Sequence, residues 1–209
     1  MEKFTTIAAT ACPLRAANID TDQILPARYL KLPRNGEHGN VLFHDLRFDA
    51  AGAERADFPL NRARWRQAKV IVAGRNFGGG SSREAAVYAL FDYGIRCVIA
   101  PSFGDIFSQN ASKNGLLTAV LGDAETAALI SALERDQASI VTVDLASQLI
   151  ACGEAQFSFA IDPSRRDRLL NGWDDFDVTH SVRKEIADFK VADRKRRPWA
   201  IPYRGGISR

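Results

Sequence analysis

Cysteine and histidine are scarce in this chain: its 209 residues hold three of each. Cys12, Cys97 and Cys152 lie far apart, form no Cys-x-x-Cys pair and, being odd in number, cannot all be bridged. The pattern excludes a disulfide framework and a self-contained zinc or iron–sulfur site. The thiols are expected to stay reduced, as in a cytoplasmic protein. His38, His44 and His180 are just as scattered, and no metal site is expected from them. No run of eighteen apolar residues occurs, so no membrane-spanning helix is expected. The opening "MEKFTTIAATACPL" has no basic segment leading into an apolar stretch and a cleavage site, so no secretory signal is expected.

What is present is an ordinary globular composition, 46% hydrophobic, enough for a sizeable core. The length suits a single domain spanning residues 1–209, with an irregular insertion at 31–67. The net charge of +3 is local. Most of the surplus sits in the basic tail "ADRKRRPWAIPYRGGISR", residues 192–209. Such a tail can bind nucleic acid or acidic lipid. No aromatic stacking platform accompanies it, so it reads as a solvated or partner-docking end, with neither nucleic acid nor membrane as partner.

The middle of the chain alternates strands and helices. "AKVIVAG", "IRCVIAP" and "LLTAVL" are short apolar runs with β-branched residues and read as buried strands. Between them come a helix over 82–93 and a shorter one over 103–115, stopped by Asn114-Gly115. "DAETAALISALERD" is an amphipathic helix. "SIVTVDLASQLIAC" and "AQFSFAI" read as strands with a hairpin, and "DPSRRDRLLNGWDD" and "VTHSVRKEIADFK" as closing helices. "FTTIAATACPL" supplies an early strand. Strand–helix–strand spacing implies an α/β fold with parallel pairing. Residues 31–67 lack periodicity, and a connection that long is usually functional or mobile.

One stretch concentrates the chemistry: "NFGGGSSREAAVYALFDYG", residues 76–94. A strand must end near Gly74, turn, and enter a helix near Ser82. Gly78, Gly79 and Gly80 allow positive φ and remove Cβ atoms, letting backbone N–H groups converge on something small. The helix start adds unpaired donors and partial positive charge, which together make an anion site. Arg83 adds a planar fork that matches a carboxylate or phosphate. No lysine follows the glycines, and Arg83 stands where a dinucleotide motif has its third glycine. Both nucleotide readings fail there, and a small carboxylate fits better. Ser81-x-x-Glu84 also has the form of a capping box, which would explain both residues without chemistry. Likewise Asp20, Thr21 and Asp22 form a polar cluster that an Asx turn or helix cap would explain.

"GRNFGGGSSREAAVYAL" resembles the G-(E/D)-N-F-G-C-G-S-S-R-E-H-A segment of the aconitase superfamily. "NIDTDQILPARYLK" resembles the opening of isopropylmalate dehydratase small subunits. "PSFGDIFSQNASKNGLL" is similar to their next segment, and "FAIDPSRRDRLLNGWDD" to their C-terminal region. The four blocks fall in order across residues 18–175.

The resemblance implies a swivelling β/β/α domain of the aconitase small-subunit type, with a mixed sheet and a strand–glycine turn–helix active-site segment. It implies a heterodimer with a large subunit that holds a [4Fe–4S] cluster on three cysteines, no cofactor being bound by this chain. The implied activity is isomerisation of 2-isopropylmalate to 3-isopropylmalate by dehydration and rehydration, a lyase step of leucine biosynthesis. Ser81 would be the base, in addition to capping the helix. Arg83 would hold a substrate carboxylate, with the amides of Gly78, Gly79, Gly80, Ser81 and Ser82 stabilising base and ligand. Asp22 would orient charges at the edge of the site, beside Thr21. Arg28, Tyr29, Leu30 and Arg34 belong to the implied substrate-selecting region. There are departures: Gly79 stands where the family commonly has Cys, Ala85 where it has His, and Val87-Tyr88 where it has Pro-Trp. They leave open a paralogous hydro-lyase acting on another 2-alkylmalate-like hydroxy-diacid. A non-enzymatic anion-binding regulatory module is the reading of another class.

Overall fold

The computed structural model describes residues 1–135 and 140–200; residues 201–209, the end of the basic tail, lie outside the described residues. The chain divides into two compact units, Met1–Gly172 and Trp173–Arg209.

The first unit carries seven strands: β1 (Thr6–Leu14), β2 (Val70–Ala73), β3 (Cys97–Ala100), β4 (Leu117–Val120), β5 (Ile140–Asp144), β6 (Leu149–Cys152) and β7 (Ala155–Ser158). Its helices are α1 (Thr21–Ile24), α2 (His44–Arg47), α3 (Glu84–Tyr93), α4 (Asp105–Lys113), α5 (Asp123–Arg135) and α6 (Pro163–Asn171). The strands form one mixed sheet in the order β4-β3-β2-β1-β5-β6-β7. β1 joins its two halves. Ala11 to Leu14 pair in parallel with β2, while Thr6 to Thr10 pair antiparallel with β5. β2, β3 and β4 continue in parallel, and β5, β6 and β7 form an antiparallel meander. The segment "SIVTVDLASQLIAC" thus holds two strands and their turn.

β2 and β3 are buried at every position, as strands covered on both faces must be. Alternate side chains enter opposite cores. Ile71, Ala73, Val98 and Ala100 pack with Ala86, Val87 and Leu90 of α3 and Phe107 of α4. Val70, Val72, Cys97 and Ile99 pack with Leu129, Ile130 and Leu133 of α5 on the other side. The region 31–67 holds only 3-10 turns and α2, yet Leu42, Phe43 and Leu60 are wholly buried in the α3-side core. Its apolar residues pack one by one from short turns, so no helical or strand period is visible in the sequence.

The second unit consists of α7 (Asp175–Ser181), α8 (Arg183–Arg196) and a terminal 3-10 turn. Asp174 caps α7, accepting from the amides of Phe176 and Asp177, both at 2.8 Å. Neither helix buries a residue. Among the described residues no helix is long and apolar enough to cross a membrane.

Candidate active site

Three loops leave the C-terminal ends of β1, β2 and β3 and interlock. Asn18 N donates to Arg75 O (2.8 Å), Gly78 N to Ile19 O (2.7 Å) and Thr21 N to Gly79 O (3.0 Å). From the third loop, Ser102 O accepts from Phe77 N (3.0 Å), and Gly104 N donates to Phe77 O (2.9 Å). Asn76 has a positive φ of 58°. Its amide donates to Ser102 Oγ (2.8 Å) and its side chain to Asn18 Oδ1 (2.9 Å).

The glycines divide their work. Gly78 has φ +71°, and a Cβ there would lie 2.2 Å from Phe107 Cγ. Its amide is already used on Ile19, so it contributes the turn and the close approach of α4 rather than a free donor. Gly80 has φ +85°, and a Cβ there would meet only ordinary contacts, Asp20 Cβ at 3.5 Å and Thr21 Oγ1 at 3.9 Å. Beyond it the chain is exposed at Ser81 and Ser82. The amides of Gly80, Ser81 and Ser82, and the Ser81 hydroxyl, donate to no protein acceptor among the described residues.

The capping box expected at Ser81 and Glu84 is not formed. α3 starts at Glu84 with Arg83 as its N-cap, in extended conformation and with no side-chain cap bond. Two tertiary bonds override the local pattern. Thr21 Oγ1 donates to Ser81 O at 2.9 Å, tying that residue to α1. Glu84 Oε1 accepts from Asn114 Nδ2 at 2.8 Å instead of reaching back. The box lies at α1 instead: Gln23 N donates to Asp20 Oδ1 (2.7 Å) and Asp20 N to Gln23 Oε1 (3.0 Å). Asp22, within that same turn, pairs with Arg83 Nη1; the two side chains are 52% and 17% exposed.

The fold thus gathers Gly80, Ser81, Ser82, Arg83 and Asp22 into one surface patch, with Thr21 buried beneath it. Arg28 and Tyr29 belong to a second cluster. Arg28 donates to both oxygens of Asp45, lies 3.1 Å from His44 Nδ1, and stands 4.7 Å from the Tyr29 ring centroid. Its hydrogen bonds hold the Asp45 carboxyl down at about 2. Arg34 lies over the Tyr88 ring at 3.5 Å and donates to Asn114 Oδ1 at 3.3 Å. Burial, with Glu84 nearby, pushes the Tyr88 hydroxyl up. Leu30 is 41% exposed. Asn18, Asn76 and Ser102, which hold the loops together, escaped the sequence reading. Their signal was the asparagines of "ANID" and "RNFG", since asparagine tolerates left-handed backbone.

None of the cavities described is lined by Ser81, Ser82 or Arg83. The largest described, about 340 Å³, is lined by Lys3, Lys69 and Arg96 at the opposite ends of the strands. Cys12, Cys97 and Cys152 are buried in separate strands. Burial pushes the thiols of Cys12 and Cys97 well above their ordinary range. Among the described residues no three His, Cys, Asp or Glu converge as metal ligands.

Residues 1–124 match the aconitase C-terminal domain family. The chain is 48% identical over 202 residues to the 3-isopropylmalate dehydratase small subunit of Rhodospirillum centenum, covering 96% of this chain and 100% of that protein. It is 46% identical to the small subunit of Paramagnetospirillum magneticum, at 95% and 100% coverage. The crystal structure of 3-isopropylmalate dehydratase from Methanocaldococcus jannaschii superposes with a TM-score of 0.63 at 29% identity, over 88% of this chain and 99% of that one. With the mixed sheet and its glycine turn in place and relatives matched end to end, the chain belongs to the family of 3-isopropylmalate dehydratase small subunits, within the aconitase C-terminal domain group.

Proposed function

We propose that this chain is the small subunit of a 3-isopropylmalate dehydratase, a hydro-lyase that interconverts 2- and 3-isopropylmalate in leucine biosynthesis. The observation that carries the reading is Ser81. Its hydroxyl is exposed at the end of a glycine turn, beside undonated amides and the Arg83–Asp22 pair.

The reaction removes a weakly acidic proton next to a carboxylate, expels water, and adds it back at the neighbouring carbon. Ser81 Oγ takes that proton as an alkoxide. The amides of Gly80, Ser81 and Ser82 and the start of α3 stabilise the oxyanion, an effect of several pK units once water is excluded. Arg83 receives a substrate carboxylate in place of Asp22, whose exposed side chain is free to turn aside and orient the incoming charge. Gly78 and Gly79 shape the turn, and Thr21 fixes its height. Leu30 offers the apolar surface for the isopropyl group. Arg28 and Tyr29, braced by Asp45, and Arg34, stacked on Tyr88, form the wall of the loop that carries it.

Three cysteines in separate strands do not fit an iron–sulfur cluster. We assign the [4Fe–4S] cluster to the large subunit, which also covers the open Ser81 surface and makes it dry. The enzyme then works in the cytoplasm as a heterodimer. The test is reconstitution. The chain alone should show no turnover of isopropylmalate, and activity should appear on adding the iron-loaded large subunit and should complement a leucine auxotroph. Turnover by the isolated chain, or an inactive reconstituted pair, would overturn the proposal.

A further inference from the structure

The turn Glu37–Val41 lies along the C-terminal half of α3, and two residues make the seam. Gly39 has no room for a side chain: a Cβ would stand 2.6 Å from the Tyr93 nitrogen and 2.7 Å from the Asp92 carbonyl carbon. His38 is buried beside it, 2% exposed. Its ring meets the Tyr88 ring edge-on, with centroids 5.8 Å apart. Its Nδ1 lies 3.6 Å from Asp92 Oδ2, and neither atom, both buried, has a hydrogen-bond partner. A buried imidazole and carboxylate left unbonded do little for stability. A leucine or phenylalanine would fill the same space but leave the buried Asp92 carboxylate facing no imidazole, so shape alone does not explain the histidine.

The ring that His38 touches has a second load. Arg34 stacks on Tyr88, reaches Asn114, and Asn114 reaches Glu84 at the start of α3. A chain of contacts therefore runs from the buried seam to the turn that bears Ser81 and Arg83. Arg34 is four residues from Leu30 and anchors the exposed loop on α3 through its stack on Tyr88.

We propose that His38 is a positioning residue for the substrate-side loop. It sets the plane of Tyr88, Tyr88 seats Arg34, and Arg34 fixes where residues 29–36 present Leu30. The inference rests on the reading of that loop as substrate-facing. His38 touches no substrate and acts through Tyr88 alone.

Two substitutions separate positioning from stability. His38→Ala removes the support under Tyr88, whereas His38→Phe keeps a ring there. Both leave the Asp92 carboxylate without its facing imidazole, so both should lower the melting temperature. In the reconstituted enzyme, His38→Ala should raise KM for 2-isopropylmalate about tenfold with kcat within about twofold, while His38→Phe keeps KM within about threefold of the parent. In the isolated chain, arginine-labelled NMR should show Arg34 side-chain protons shifted upfield by the Tyr88 ring, with assignment by Arg34→Lys. That shift should persist in His38→Phe and vanish in His38→Ala. If His38→Ala does not fold, His38→Leu, which fills the space without a ring, should weaken the shift in its place, and an unchanged shift there would overturn the proposal. If KM follows the melting temperature equally in both histidine variants, or the Arg34 shift is indifferent to both, the proposal falls. The NMR arm needs no turnover, so an enzyme inactive on isopropylmalate would sink the functional reading while leaving this test standing.

Discussion

Ser81→Ala distinguishes a base from a cap more sharply than the sequence alone allowed. A lost N-cap costs roughly 0.5–2 kcal/mol. The Ser81 hydroxyl makes no cap bond, because Arg83 occupies the N-cap position and Glu84 is engaged by Asn114. The bond that ties this residue to α1 uses its carbonyl oxygen, accepting from Thr21 Oγ1, and survives the substitution. The side chain is exposed. Ser81→Ala should therefore fall within about ±0.5 kcal/mol, the usual range for surface changes. At roughly 2–4 °C per kcal/mol for a chain of this size, its melting temperature should move by less than about 2 °C. Asp20→Ala is the matched control, since Asp20 makes both bonds of a real capping box. It should cost about 0.5–2 kcal/mol. Turnover should show the opposite order for Ser81: loss of a positioned base lowers rate by roughly 10²–10⁴. The assays are thermal melts of the isolated chain and initial rates of the reconstituted pair. If Ser81→Ala melts as low as Asp20→Ala, the hydroxyl is structural after all. If it keeps near-parental turnover, the base lies elsewhere.

Acid titration should expose the Arg28–Asp45 pair. Asp45 titrates at about 2 in the fold against an ordinary 3.8, so its contribution is complete above about pH 4 and is lost as pH falls toward 2. Asp45→Asn should flatten the melting curve's acid limb in that window and change little at pH 7, the pair being exposed and screened; an unchanged acid limb would contradict this. Gly78→Ala must place a methyl in the Phe107 ring at a positive φ, so overpacking of at least ~1–3 kcal/mol should lower the melting point by several degrees. A melt within about 1 °C of the parent would refute it. Cys12 and Cys97, wholly buried with thiols held protonated, should resist a disulfide reagent at pH 8 until the protein unfolds. Fast labelling of either in the native chain would refute their placement.

The parallel half of the fold was legible because its strands obey one rule. Runs such as "VIVA" and "CVIA" are apolar at every position, since helices and loop cover both faces of the sheet. β5 was legible for the opposite reason. Val141 and Val143 are buried while Ile140, Thr142 and Asp144 are not, the alternation of a half-covered strand. Residues 31–67 offered neither signal. Phe43 and Leu60 are core residues there, but they are delivered by isolated turns, and a turn of three or four residues has no period to read.

The site was legible in composition and misleading in local geometry. Three glycines ahead of a serine and an arginine announced a tight turn into a helix, and the turn is there, with Gly78 and Gly80 at positive φ. The capping box failed because a helix start is not decided by four residues. Thr21 and Asn114, some sixty residues upstream and thirty downstream, each claim one member of the pattern. Meanwhile Asp20-x-x-Gln23, whose side chains have no competing partner among the described residues, forms the box in full. The same reasoning bears on the cations. A sequence shows Arg28, Arg34 and Arg83 as three free charges, whereas the fold supplies Asp45, Tyr88 and Asp22 to meet them. Of the three, only Arg83 sits at the Ser81 turn, and its counter-ion is the more exposed member of the pair. In the proposed reading an arriving carboxylate replaces a single Asp22 contact on Arg83, whereas Arg28 is already held by Asp45 through two hydrogen bonds. In that proposal pairing, rather than the presence of arginine, decides which cation remains available to a diacid.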